Sequence, residues 1–123
     1  MSRDYDLFLE DIVDSGRFIL EETAHISLEE LRRDRRRRDS LFHNLLVMGE
    51  ATKQLPAELR NECPEVNWRG LARLRDLIAH GYFKANLEII WHDIHTHLPS
   101  IVSAVNALLE QRRDDAPDAE LKP

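Results

Sequence analysis

From Leu87 to Leu108 the apolar residues fall at alternating steps of four and three: Leu87, Trp91, Ile94, Leu98, Ile101, Val105 and Leu108. That rhythm belongs to a helix that packs along another helix, and it holds for more than three heptads. Similar spacing recurs upstream. Residues 4–25 put Leu9, Ile12, Val13, Gly16, Ile19 and Leu20 on one face, and residues 36–54 do the same with Leu41, Leu45, Met48 and Thr52, flanked by Phe42, Leu46 and Gly49. A third set, Trp68, Leu71, Leu74 and Ile78, marks a shorter helix. The period-two alternation of a half-buried strand occurs nowhere, and four glycines and five prolines are too few for a turn-rich all-β fold.

The punctuation agrees with the periodicity. Ser27 followed by Glu30 has the capping-box pattern and predicts a short helix from Leu28. Pro56 stops the 36–54 helix, and Ala57 to Glu62 make a short turn at most before Pro64. Asn67 suits the N-cap of the third helix, and Gly81 falls just past its end, where a left-handed residue is wanted. Asn86 would cap the last helix, 87–112, which Pro99 should kink. The expected fold is all-α, an up-and-down bundle of four to five helices. Residues 1–112 form the helical domain, and residues 113–123, rich in acids and proline, form an acidic disordered tail.

With 123 residues, 42% of them hydrophobic and 33% charged, the chain is expected to be one domain with a working core. Its single cysteine, Cys63, excludes an internal disulfide and a cysteine-rich zinc site. No apolar run approaches the ~20 residues of a membrane span, and the charged N-terminus is unlike a signal peptide, so a cytoplasmic protein without membrane attachment is expected.

Charge is concentrated in one place. Residues 32–38 read RRDRRRR, a local +5 in a chain whose net charge is −6, so the remaining residues carry −11. Six arginines in seven positions exceed what solubility requires, although a charge run is most simply a solvated face. Arg35, Arg36, Arg37 and Arg38 are candidates for gripping an RNA backbone, a role that supplies affinity without sequence reading. No aromatic side chain interrupts the run, so base stacking is not expected there.

The segment with chemical content is RDLIAHGYF, residues 75–83. Arg75 lies beside the apolar stripe of the third helix, and His80 follows five residues on, about 7.5 Å along an ideal helix, at or just past its C-terminus. The two side chains can reach one small anion together. A fixed cation and a group that titrates near neutrality are the minimum for cleaving a phosphodiester without a metal. The arginine clamps the phosphate, and the histidine moves a proton from the attacking 2′-hydroxyl or to the leaving 5′-oxygen. The plain structural reading is a histidine that is favourable with the dipole at a helix end.

Arg75-x4-His80-x-Tyr82, preceded by Met48-Gly49-Glu50-Ala51 and LPAELR and followed by LEIIW and HLP, resembles the HepT-like family of the HEPN superfamily, over residues 7–109. The resemblance implies a HEPN-like bundle, a homodimer, and a metal-independent endoribonuclease that is the toxin of a toxin–antitoxin pair, with tRNA or mRNA as substrate and no cofactor. It makes Arg75 and His80 the catalytic pair. It makes Tyr82 the residue that a minimal nucleotidyltransferase antitoxin adenylylates to silence the toxin. The position after the arginine is often Asn in that family and is Asp76 here, which supports His80 by orienting it or raising its basicity, and also repels phosphate. The alternative reading is a catalytically silent HEPN interaction module that binds a nucleotidyltransferase partner. A two-fold axis near the end of the third helix would bring both His80 residues into one cleft, as acid and base.

The other candidates have simpler explanations. His92, Asp93, His95 and His97 invite a metal reading, but only His92 and His95 share a helix face, so a polar face is preferred and no metal is expected. Trp68 and Trp91 are read as core, Gly49 as a point of close helix approach, and Glu50 as a surface or helix-pairing carboxylate. Cys63 has no base beside it and is not expected to be a nucleophile.

Overall fold

The computed structural model describes residues 3–81 and 87–115. These form six helices and no strand: α1 (Arg3–Thr23), α2 (Leu28–Arg33), α3 (Arg35–Gln54), α4 (Ala57–Asn61), α5 (Trp68–Ala79) and α6 (Leu87–Asp114). Four are long enough to build a bundle, and α2 and α4 are short connectors, in keeping with the expected all-α architecture.

The ends of the helices follow local chemistry. Ser27 Oγ accepts the Glu30 amide at 3.1 Å, and Asn67 Oδ1 accepts the Gly70 amide at 2.9 Å, each satisfying a donor that the first turn leaves open. Asp34 ends α2 and starts α3, its carboxylate accepting the Arg37 amide. The arginine run is therefore split at a corner, with Arg32 and Arg33 in the last turn of α2 and Arg35–Arg38 in the first turn of α3. Gly81 has φ +78°, the left-handed conformation that ends α5, and its amide bonds back to the Ile78 carbonyl. Asn86 lies outside the described residues. α6 continues through Pro99, whose ring removes the amide that would reach the His95 carbonyl.

The main helix contacts run in the order α6–α1–α3–α5, with α2 against α3. α1 and α6 are antiparallel: Asp6 pairs with Arg112, Glu10 with Arg113 at 2.8 Å, and a Cβ on Gly16 would come within 2.5 Å of Val102. The core between them holds Leu9, Ile12, Ile19, Met48, Ile90 and Val105, all at most 1% exposed. Along α6 the buried stripe is Leu87, Ile90, Ile94, Leu98, Val102, Val105, Leu108 and Leu109. Trp91 and Ile101, on the sequence seam, are only half-buried, because a 3.6-residue helix drifts away from a strict seven-residue repeat. Trp91 instead sits against His95, ring centroids 4.4 Å apart. Ile101 lines an apolar groove between α5 and α6, about 220 Å³ in volume, together with Leu45, Leu71, Leu74, Ile94 and Leu98.

Candidate active site

α3 and α5 approach unusually closely at Gly49. A Cβ there would lie 2.2 Å from the Cβ of Arg75, 2.8 Å from its Cγ and 3.2 Å from the Leu71 carbonyl oxygen. The missing side chain lets the stem of Arg75 lie directly on α3, which fixes where its guanidinium emerges. There it meets charged residues from both helices. Arg75 Nε is in ion-pair contact with Glu50 Oε1, without an aligned hydrogen bond, and Arg75 Nη1 lies 3.2 Å from Asp76 Oδ1. The same carboxylate oxygen receives Lys53 Nζ at 2.6 Å. The Lys53 hydrogen bond above all, and then Arg75, hold the Asp76 carboxyl below its ordinary range against an opposing desolvation.

His80 stands at the C-cap of α5. Its amide bonds the Asp76 carbonyl at 3.1 Å, and its Nδ1 lies 2.6 Å from the same oxygen. A carbonyl only accepts, so Nδ1 is the ring nitrogen that donates here. Both tethers run to the main chain of Asp76. Its main chain orients His80, while its carboxylate faces the two cations, because at the end of a helix the i−4 carbonyl is the nearest acceptor. The imidazole thus sits just over one helical turn beyond Arg75, on the same helix. Tyr82 lies outside the described residues.

The four arginines of the α3 corner are not equivalent. Arg38 Nη1 donates to the carbonyls of Leu31 and Arg32, tying α3 to the end of α2. Arg37 pairs with Asp34 at 3.1 Å and Arg35 with Asp39 at 3.6 Å. Arg36 is exposed and forms no ion pair among the described residues. Arg33, Arg35, Arg36 and Arg37 line a shallow open concavity with Glu30 and Asp34.

Elsewhere the chemistry is quiet. Cys63 is buried at 2% exposure, and its thiol is pushed up to about 11, mainly by burial and then by Glu65. His95 Nδ1 bonds the Trp91 carbonyl at 2.9 Å, and no group of His, Cys, Asp and Glu able to hold a metal occurs among the described residues. No described helix is long and apolar enough to cross a membrane.

The sequence singles out Arg75, Asp76 and His80, and the structure adds Lys53 beside Asp76. A signal for it existed. A glycine in mid-helix marks a contact with a neighbouring helix, so the charges one and four residues later, Glu50 and Lys53, flank that contact.

Comparison with known proteins places the chain as a whole. A protein of Methanocaldococcus jannaschii named as an RNase is 33% identical over 108 residues, covering 88% of this chain and 89% of the relative. A Thermococcus cleftensis protein named as ribonuclease HepT is 32% identical over 101 residues, covering 82% and 92%. A protein of Caldanaerobacter subterraneus subsp. tengcongensis, also named as an RNase, is 32% identical over 106 residues, covering 86% and 95%. No solved structure matches. The model of the ribonuclease HepT-like family matches residues 12–108, which takes in all of α3, α4 and α5 with the whole Arg75–His80 cluster, and the chain belongs to that family.

Proposed function

We propose that this protein is a metal-independent endoribonuclease and the toxin of a HepT-like toxin–antitoxin pair, with Arg75 and His80 as its catalytic residues. The observation that carries the reading is that one helix holds both groups: Gly49 lets the Arg75 stem lie directly on α3, and the Asp76 carbonyl, 2.6 Å from Nδ1, orients the His80 ring at the end of α5. In the reaction the 2′-oxygen of the RNA attacks phosphorus as its proton is taken up, and the 5′-oxygen leaves as a proton is delivered. Arg75 binds the phosphate oxygens as charge builds on them. One histidine cannot hold both protons in correct order within one step, so the second group is His80 of a second subunit in a homodimer. The apolar groove between α5 and α6 is a surface that such an assembly can cover. Arg35, Arg36 and Arg37 dock the RNA backbone; four arginines in the first turn of a helix oppose its dipole, a cost that solubility does not explain. Tyr82, two residues after His80, is the residue that a minimal nucleotidyltransferase antitoxin adenylylates, and a cytoplasmic location follows from that partnership.

The test is cleavage of cellular RNA by the purified protein in EDTA. His80→Ala should lose on the order of 10²–10⁴-fold in rate with helicity unchanged. Full activity in that variant, or loss of wild-type activity in EDTA, overturns the mechanism. Co-expression with the antitoxin should add adenylate mass to the wild type and none to Tyr82→Phe. The alternative, a silent module that binds a nucleotidyltransferase partner, is favoured by one observation, the two carboxylates already engaged with Arg75. Absence of cleavage together with binding of that partner would select it.

A further inference from the structure

Lys53 and Arg75 converge on one oxygen. Asp76 Oδ1 lies 2.6 Å from the ammonium and 3.2 Å from the guanidinium, and those two cations come from different helices. A single oxyanion atom gripped by two cations is the arrangement that a phosphate oxygen would need, and the main chain of the same Asp76 holds His80. In the free protein a carboxylate of the chain occupies it. With Glu50 on the other edge of Arg75, the four charged groups of the cluster sum to zero, a weak field for holding a polyanion.

All of these groups can exchange partners. The side chains of Lys53, Arg75 and Asp76 are 37%, 30% and 49% exposed, so the ion pairs are screened and readily traded for an incoming anion. Lysine carries three rotatable donors on a flexible stem, which suits it to follow an anion as a point charge. Asp76 is held in place by its own helix and cannot leave, so it competes with substrate at fixed, high local concentration.

We infer that Lys53 is a second phosphate-binding residue of the site, and that the Asp76 carboxylate is a tethered competitor which sets how tightly the site takes a backbone phosphate. On binding, Lys53 and Arg75 pass from Asp76 Oδ1 to oxygens of the RNA, and the carboxylate turns out to solvent. This rests on the ribonuclease reading above and adds to it a residue and a control on affinity.

The experiment separates the two. RNA binding is measured on full-length protein carrying His80→Ala, which stops turnover, with a short fluorescent single-stranded RNA of mixed sequence over a series of KCl concentrations. Adding Lys53→Gln should weaken binding about tenfold and reduce the log–log salt slope by about 0.7, one phosphate contact on a single strand. Lys53→Arg should restore most of both. Asp76→Asn should tighten binding several-fold, and that gain should shrink when Lys53→Gln is also present, since the two residues share one contact. Circular dichroism and thermal midpoints accompany each variant. An unchanged slope in Lys53→Gln with a lowered midpoint would mean that Lys53 only ties α3 to α5, and weaker binding in Asp76→Asn would likewise overturn the inference. Should Lys53→Gln not fold, Asp76→Asn alone decides. Cleavage by the unmutated protein is measured in parallel. Its failure removes the catalytic reading while the salt slopes still judge Lys53, and absence of any RNA binding overturns both.

Discussion

At the scale of single residues, the proposed site draws Arg75, Asp76 and His80 from six consecutive positions at the end of α5. Arg75, Asp76 and His80 stand out in the sequence as a guanidinium, a carboxylate and an imidazole within six positions near the end of one helix. What the spacing did not reveal was the division of labour within Asp76. Its carbonyl receives both nitrogens of His80 and its carboxylate receives two cations, a split that depends on where α5 ends and what α3 brings alongside. Cys63 was legible as inert, and its environment supplies the reason. With its thiol pushed up to about 11, only about one molecule in a thousand is thiolate at pH 8. Iodoacetamide at that pH should leave the folded protein unmodified by mass spectrometry and label it promptly in guanidinium chloride. Prompt labelling of the folded protein would contradict the burial. Cys63→Ala should keep its cleavage rate within about twofold, measured on the same RNA as the wild type.

Between helices, Gly49 sets the geometry of the site. In an ordinary exposed helix, Gly→Ala gains up to ~1 kcal/mol from propensity. Here the new methyl would meet the Cβ of Arg75 at 2.2 Å and the Leu71 carbonyl at 3.2 Å, and neither atom is the free end of a flexible chain. Overpacking of this kind costs about 1–3 kcal/mol, so the net effect should be destabilising. Gly49→Ala should lower the urea midpoint and lower cleavage more than stability alone explains, because Arg75 moves with α5. A raised midpoint would show that the helices separate freely. The arginine corner makes a second prediction at this scale. Replacing Arg36 and Arg37 with Gln should weaken RNA binding alike for all sequences and flatten its salt dependence, measured by fluorescence anisotropy. Arg38→Gln should instead lower the thermal midpoint, because its guanidinium serves the carbonyls of Leu31 and Arg32.

For the whole molecule, the periodicity of α1, α3 and α6 and the caps at Ser27, Asn67 and Gly81 determined an all-α bundle before any coordinates, since apolar spacing and end chemistry are local properties of the chain. The pairing of charges was not local. Lys53 and Asp76 are 23 residues apart, and Asp6 and Arg112 are 106 apart. Such pairs also shape the response to acid. Asp76 has a lower value folded than unfolded, so its ion pairs contribute stability that is fully present above the unfolded value and is lost as pH falls through the folded one. The difference in unfolding midpoint between wild type and Asp76→Asn should therefore be constant near neutrality and shrink only below about pH 4. A difference that changes between pH 6 and 8 would point to another titrating group. The sequence by itself determined the all-α class, the four long helices and the caps that bound several of them, because spacing and end chemistry are local; it did not mark Ala57–Asn61 as a helix. Only the tertiary structure decided that a carboxylate already stands between Arg75 and Lys53, because the distance between two helices is set by the one side chain that Gly49 lacks.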